Sequence, residues 1–250
     1  MKRIIIPTAV FIGLISIGVA QTVLLEQDVN ADTIPKIVGP NLKHFSHLYI
    51  GYGFVLGADA VGSEIKYGSS SDFVYGYRYK RKLSEFYAVG FDIFYHSTTF
   101  HLKQDSNKVL PNNILRKHKG EKDKLTFHNL SLGLYNRFNF GKRGNYIGNF
   151  LDLGARVDWP FSVVHFTKDK LNTANDNNGK VVKTKTTGLV YINQIYYNVF
   201  ARFGFNKFVI TASYRLSDLF KKDDPELYED TKKYPELPLL IVGVEIGFHK

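Results

Sequence analysis

Residues 147–159 read IGNFLDLGARVDW, and they decide the fold. Ile147, Leu151, Leu153, Ala155, Val157 and Trp159 alternate with Asp152, Gly154, Arg156 and Asp158. A period of two places successive side chains on opposite faces of a β-strand. One face of this strand is apolar and ends on an indole. The other carries glycine together with charges of both signs. A soluble sandwich turns its apolar face inward and its charges to water. Bulky apolar groups opposite small and charged ones read the other way round, as large groups in lipid and small or charged groups inside a closed barrel.

Seven further stretches carry the same alternation, at about Leu48–Gly57, Asp72–Arg81, Tyr87–His96, Thr126–Phe140, Leu189–Phe205, Phe208–Leu216 and Leu240–His249. In the second, Phe73, Tyr75, Tyr77 and Tyr79 oppose Gly76, Arg78 and Lys80; in the last, Val242, Val244, Ile246 and Phe248 oppose Gly243, Glu245 and Gly247. The count is even and the lengths approach or exceed the roughly 9–11 residues that a tilted strand needs to cross a bilayer. Connections alternate strictly. Those around 82–84, 141–145 and 206–207 are short, and those at about 58–70, 97–124, 160–188 and 217–237 are long. The expected fold is therefore all-β, an eight-stranded antiparallel transmembrane β-barrel with short periplasmic turns and long extracellular loops. Outward aromatics then form two girdles. Tyr79, Tyr87, Phe138, Phe203, Phe208 and Phe248 mark one rim, and Tyr95, Trp159 and Tyr214 the other.

Composition agrees with a barrel. The 250 residues include 20 Phe, 16 Tyr and 21 Gly but no Cys, so no disulfide supports the fold. Residues 1–20 have a basic start at Lys2 and Arg3, an apolar stretch and small residues at Gly18-Val19-Ala20, the pattern of a cleaved secretory leader. The expected organisation is a signal peptide over 1–20, a periplasmic lead-in over 21–45 and an outer-membrane barrel domain over 46–250. After the leader no run of 18 apolar residues occurs that would cross a membrane as a helix. The formal charge of +10 is spread over loops and inward positions, and an exported chain does not meet nucleic acid as its partner.

The proposed inward set holds Arg78, Lys80, Arg137, Arg156, Arg202 and Arg215 with Asp92, Asp152, Asp158 and Glu245. Buried charges must pair, because desolvation of an unpaired one costs several kcal/mol. Mixed signs inside a narrow barrel therefore predict a lumen closed by ion pairs, with the inward glycines leaving room for arginines. The same carboxylates could serve acid–base chemistry, and His96 could join one of them at the external rim. No G-x-S-x-G, H-E-x-x-H or clustered His/Cys pattern accompanies them. Asp223, Asp224, Glu226, Glu229 and Asp230 make an acidic run without EF-hand spacing. No catalytic, cofactor or metal site is expected. The loops over 97–124 and 160–188 are basic, with Arg116-Lys117-His118-Lys119 central to one, whereas 217–237 is acidic.

The mature region resembles the PorT-like outer-membrane β-barrel family of Bacteroidota. The resemblance is carried by Lys43-His44-Phe45 through Gly57, by Tyr214 through Phe220 and by the closing Leu239–Phe248 stretch. The chain departs from many such barrels in ending Phe248-His249-Lys250 rather than on the aromatic itself. The resemblance implies a small barrel without catalytic residues, whose namesake works in protein secretion. The expected function is that of a non-enzymatic accessory or structural barrel. Its expected partners are outer-membrane lipids and proteins of the membrane or of a secretion complex. A small-solute or ion pore, or a hydrolase or lipid-modifying enzyme at the external rim, are the alternatives.

Overall fold

A computed structural model of the chain describes residues 41–58, 60–118, 120–140, 146–171, 180–222 and 234–249. The expected leader, most of the lead-in and the acidic run Asp223–Asp230 lie outside these residues.

Among the described residues, nine antiparallel strands form one sheet: β1 (His44–Leu56), β2 (Ser71–Lys82), β3 (Tyr87–His101), β4 (Lys122–Phe140), β5 (Asn149–Leu171), β6 (Lys180–Thr187), β7 (Tyr196–Phe205), β8 (Phe208–Arg215) and β9 (Leu240–Phe248). β9 pairs back onto β1, from Leu48 opposite Phe248 to Leu56 opposite Leu240. β5 pairs with β4 on one side and, along Asn149–Asp158, with β7 on the other. Eight strands thus close into a barrel, and β6 stands outside the ring. Closure leaves the ring of eight strands no open edge, which a structure surrounded by lipid requires.

The faces follow the alternation. Leu134 and Val244 on the outside are 65% and 57% exposed, whereas Arg78, Arg137, Asp92 and Asp152 inside are 1% or less. All ten charged residues expected inside are buried. Outside, aromatic contacts collect at both ends of the wall. Tyr79 meets Phe91, and Phe138 meets Phe86 and Tyr87, at the short-turn end. Tyr95, His128, Phe161 and Trp159 adjoin at the long-loop end. From Tyr87 to Tyr95 the strand rises about 27 Å, or about 20 Å along the axis at the usual tilt, close to the apolar height of such barrels.

The connections differ from expectation in one place. The segment 160–188, expected as a loop, is mostly strand: β5 continues to Leu171 and turns back as β6, pairing Val164–Leu171 with Thr187–Lys180. Val163, Val164, Val181, Val182 and the threonines of β6 are β-formers, and their alternation runs on past the membrane. β7 accordingly begins at Tyr196 rather than near Leu189. β3 and β4 also overrun, leaving 102–121 as their connection. The short turns after β2 and β7 hold as read, and the one expected at 141–145 lies outside the described residues. Asn206 takes a φ of 55° in the two-residue β7–β8 turn, a conformation that asparagine tolerates better than most residues.

Ile147 also departs from its expected outward place. It is buried against Phe150 and Val209, with Phe45 packed beside them, because the chain turns at Gly148 (φ 72°) before β5 begins. These residues fill the short-turn end. A larger apolar cluster fills the long-loop end, where Leu102, Leu110, Leu125, Phe127, Phe220 and Tyr234 are among the residues that pack together.

Inward glycines have a use other than the expected one. Gly76, Gly90, Gly154 and Gly204 lie directly opposite Phe94, Tyr135, Phe200 and Phe150 in register. Each leaves space for the ring beside it. A Cβ on Gly204 would sit 2.1 Å from the Phe150 ring, which is itself pinned under Arg137 at 3.5 Å. Gly204→Ala is therefore expected to destabilise the barrel by about 1–3 kcal/mol in urea unfolding. Gly133→Ala, whose new atom would meet its nearest neighbour at 3.5 Å, should change stability little. Equal responses of the two variants would contradict the ring-on-glycine packing.

Candidate functional site

Between the two apolar clusters, the lumen is filled by ion pairs. Arg137, on β4, donates from Nε and Nη2 to the two carboxylate oxygens of Asp152 on β5, at 2.7 and 2.8 Å. This bidentate geometry is the strongest form of the pair. Arg78 on β2 reaches Asp92 on β3 at 3.3 Å and Glu245 on β9 at 2.7 Å. Arg202 on β7 donates across the lumen to Asp92 and lies 3.8 Å from Glu245 and 3.9 Å from Asp152. Three arginines and three carboxylates from six strands thus form one connected group.

Aromatic rings complete it. The guanidinium of Arg78 lies 4.1 Å from the Tyr49 ring centre, and that of Arg202 lies 4.1 Å from Phe200. A weakly hydrated planar cation on a ring face loses less by leaving water than an ammonium would. Tyr49, Phe94, Phe150 and Phe200 are buried as well, at positions where the sequence alone predicts charges and small residues. Their signal was the opposing glycine, visible only once strand register is known.

A second group lies above the first. His96 Nδ1 is 3.0 Å from Asp72 Oδ1, and its Nε2 is 3.4 Å from Asp158 Oδ2. Thr98 donates to Asp72 at 2.6 Å, Asn198 donates to Asp158 at 2.7 Å, and Arg156 lies 3.2 Å from Asp158. The histidine singled out for rim chemistry does meet two carboxylates. It does so 1% exposed, beneath the apolar cluster and beside a cavity of about 20 Å³. A cavity of that size holds about one water and no substrate. Another of about 20 Å³ lies by Arg156 and Arg202.

At the long-loop end, buried ion pairs tie the connections down. Lys108 donates to Asp123 at 2.6 Å and to the Ile114 carbonyl at 2.8 Å. Burial pulls its ammonium below the ordinary lysine range, and the Asp123 carboxylate opposes that shift. Arg116 bridges Asp123 and Asp169 at 2.9 and 2.6 Å, and His165 lies 2.8 Å from Asp123. Arg215 meets Glu236 at 3.2 Å and the Leu237 carbonyl at 2.7 Å. Asp123 lies in the part of β4 that precedes Thr126, where the sequence pattern of the strand begins. Among the described residues, no group of three or more His, Asp or Glu is arranged to hold a metal ion.

An apolar, aromatic-rimmed outer wall around a charged interior, closed by eight antiparallel strands with short turns at one end and long loops at the other, defines the chain as an outer-membrane-type β-barrel. No family model matches the chain, and no curated protein sequence matches it. Among solved structures, the crystal structure of Ail, the attachment invasion locus protein of Yersinia pestis, in complex with the heparin analogue sucrose octasulfate, aligns over 82% of this chain and 96% of that one. The identity is 14% and the TM-score 0.32. The class assignment rests on strand register and on the two faces of the wall, not on that likeness.

Proposed function

We propose that this protein is a non-enzymatic barrel of the bacterial outer membrane with a closed lumen, acting as a structural or accessory subunit through the parts that stand outside the bilayer. The observation that carries the reading is the stacking of three plugs along one axis. An apolar cluster lies at each end, and the Arg78–Asp92–Arg202–Glu245 group with its partners lies between. An ion entering such a lumen would have to break fully desolvated pairs, which recover nothing from water. Short turns then face the periplasm and the long connections face outward.

With chemistry buried and the lumen filled, the surfaces left for work are the outer wall, which meets lipid, and the external sheet and loops, which can meet other molecules. The PorT-like resemblance would place that work in secretion, beside membrane proteins of such a pathway. The test is conductance. The full chain in planar bilayers is expected to give no steady current, and Arg202→Ala, which opens the central group, is expected to add flickering current at most. Stable, charge-selective conductance by the wild type would replace this reading with that of a small-ion pore.

A further inference from the structure

We propose that the outer face of the sheet rising past the long-loop rim binds the phosphate groups of phosphorylated glycolipids in the surrounding leaflet. This inference rests on the reading of the barrel as bilayer-embedded and names what its external part meets.

The argument starts from register. On this face Lys122 of β4 lies directly opposite Lys168 of β5, which lies directly opposite Lys183 of β6. In the next row toward the membrane, His101 pairs with Lys124, Lys124 with Phe166, and Phe166 with Lys185. Lys124 sits 5.4 Å from the Phe166 ring centre, so the two side chains share the face. Like charges directly opposite across strands repel and weaken the sheet. Among the described residues, none of Lys122, Lys124, Lys168, Lys183 or Lys185 has a carboxylate within 4.0 Å: the salt bridges of this region belong to Asp123 and Asp169, which Lys108, Arg116 and His165 occupy. The repulsion is therefore left for a ligand of opposite sign to relieve.

Position identifies the ligand. The other face of the β4–β5 extension is covered, with Leu125, Phe127 and Val163 in the apolar cluster. The lysine face is the upward continuation of the lipid-facing wall. Directly below it on the same strands are Tyr95, His128, Phe161 and Trp159, the ring of aromatics that marks the edge of the hydrocarbon. Chains of a lipid packed against this wall bring their headgroup to the lysine rows, with no further ordering of the protein. One end of the rows opens on a hollow of about 220 Å³ lined in part by Lys66, His101 and Lys122, large enough for a phosphate group. Glu121 on its wall is engaged by the backbone N–H groups of His118 and Lys170.

The full chain in phosphatidylcholine nanodiscs, titrated with lipopolysaccharide carrying a phosphorylated core and with the same material after dephosphorylation, tests this. Wild type is expected to bind the phosphorylated form alone. The triple variant Lys122→Gln, Lys168→Gln, Lys183→Gln should bind on the order of a hundredfold more weakly, by the usual contribution of a lysine at an anionic membrane surface. A control triple of equal charge change at the other end, Lys43→Gln, Arg81→Gln, Lys207→Gln, should bind as wild type. Equal losses in both triples would reduce the effect to net charge and overturn the proposal. So would binding that ignores dephosphorylation, or binding of a soluble sulfated polysaccharide in preference to the lipid. If the lysine triple does not fold, Lys168→Gln alone and the salt dependence of wild-type binding give the same decision. Failure of wild type to enter nanodiscs at all would instead overturn the membrane reading beneath it.

Discussion

Asp92→Ala is expected to destabilise the barrel by about 3–5 kcal/mol in urea unfolding from detergent or lipid. Asp92 is fully buried and receives both Arg78 and Arg202. Removing it leaves two guanidiniums with Glu245 as their nearest remaining acid, between the apolar clusters of the two ends. The loss measures the stranded cations rather than the strength of the pairs. Replacing Arg78, Arg202, Asp92 and Glu245 together by apolar residues of similar volume, so that no charge of the group is left without a partner, should therefore recover most of it. A loss below about 1 kcal/mol for Asp92→Ala would mean that water reaches the centre of the lumen, and the closed barrel would fall with it.

Val244→Arg should lower stability by about 2–4 kcal/mol when the protein is unfolded from lipid vesicles. Val244 is the middle outward residue of β9, between Val242 and Ile246. Arginine there would carry its charge to mid-bilayer, where no partner is available and where the side chain must bend toward a headgroup to escape. The same substitution at Phe248, beside the short-turn rim, should cost much less, because depth sets the penalty. Similar losses at both positions would show that the exposed apolar wall does not face hydrocarbon.

The two experiments probe opposite faces of one wall. That the faces are opposite in character was readable from residues such as those of 147–159, since a strand of any register must alternate. That the ten inward charges are buried together was readable in outline, because charges of mixed sign at inward positions have to pair with one another. Which acid meets which arginine was not. Arg202 reaches Asp92 from the far side of the barrel, 110 residues away, and no local pattern encodes that distance. The aromatic lining was hidden for a related reason. Phe94, Phe150 and Phe200 occupy positions that alternation assigns to small groups, and only pairing with Gly76, Gly204 and Gly154 makes room for them.

The external part was the least legible. Residues 160–188 carry many lysines and threonines, which read as a basic loop. Their strand character emerges only because β5, already fixed in the wall, offers its upper edge to β6. The lysine rows follow from that pairing, since charges scattered in sequence become aligned only when three strands are set side by side.

Sequence by itself determined the strand period, the assignment of apolar side chains to the outside and charges to the inside, and the sorting of connections into short and long. These depend on the two-residue repeat and on desolvation, which act within a single strand. The tertiary structure alone decided the ion-pair partners, the rings seated on glycines, the apolar plugs at both ends and the lysine face above the rim. Each of these depends on register between strands, and register is set when the whole ring closes.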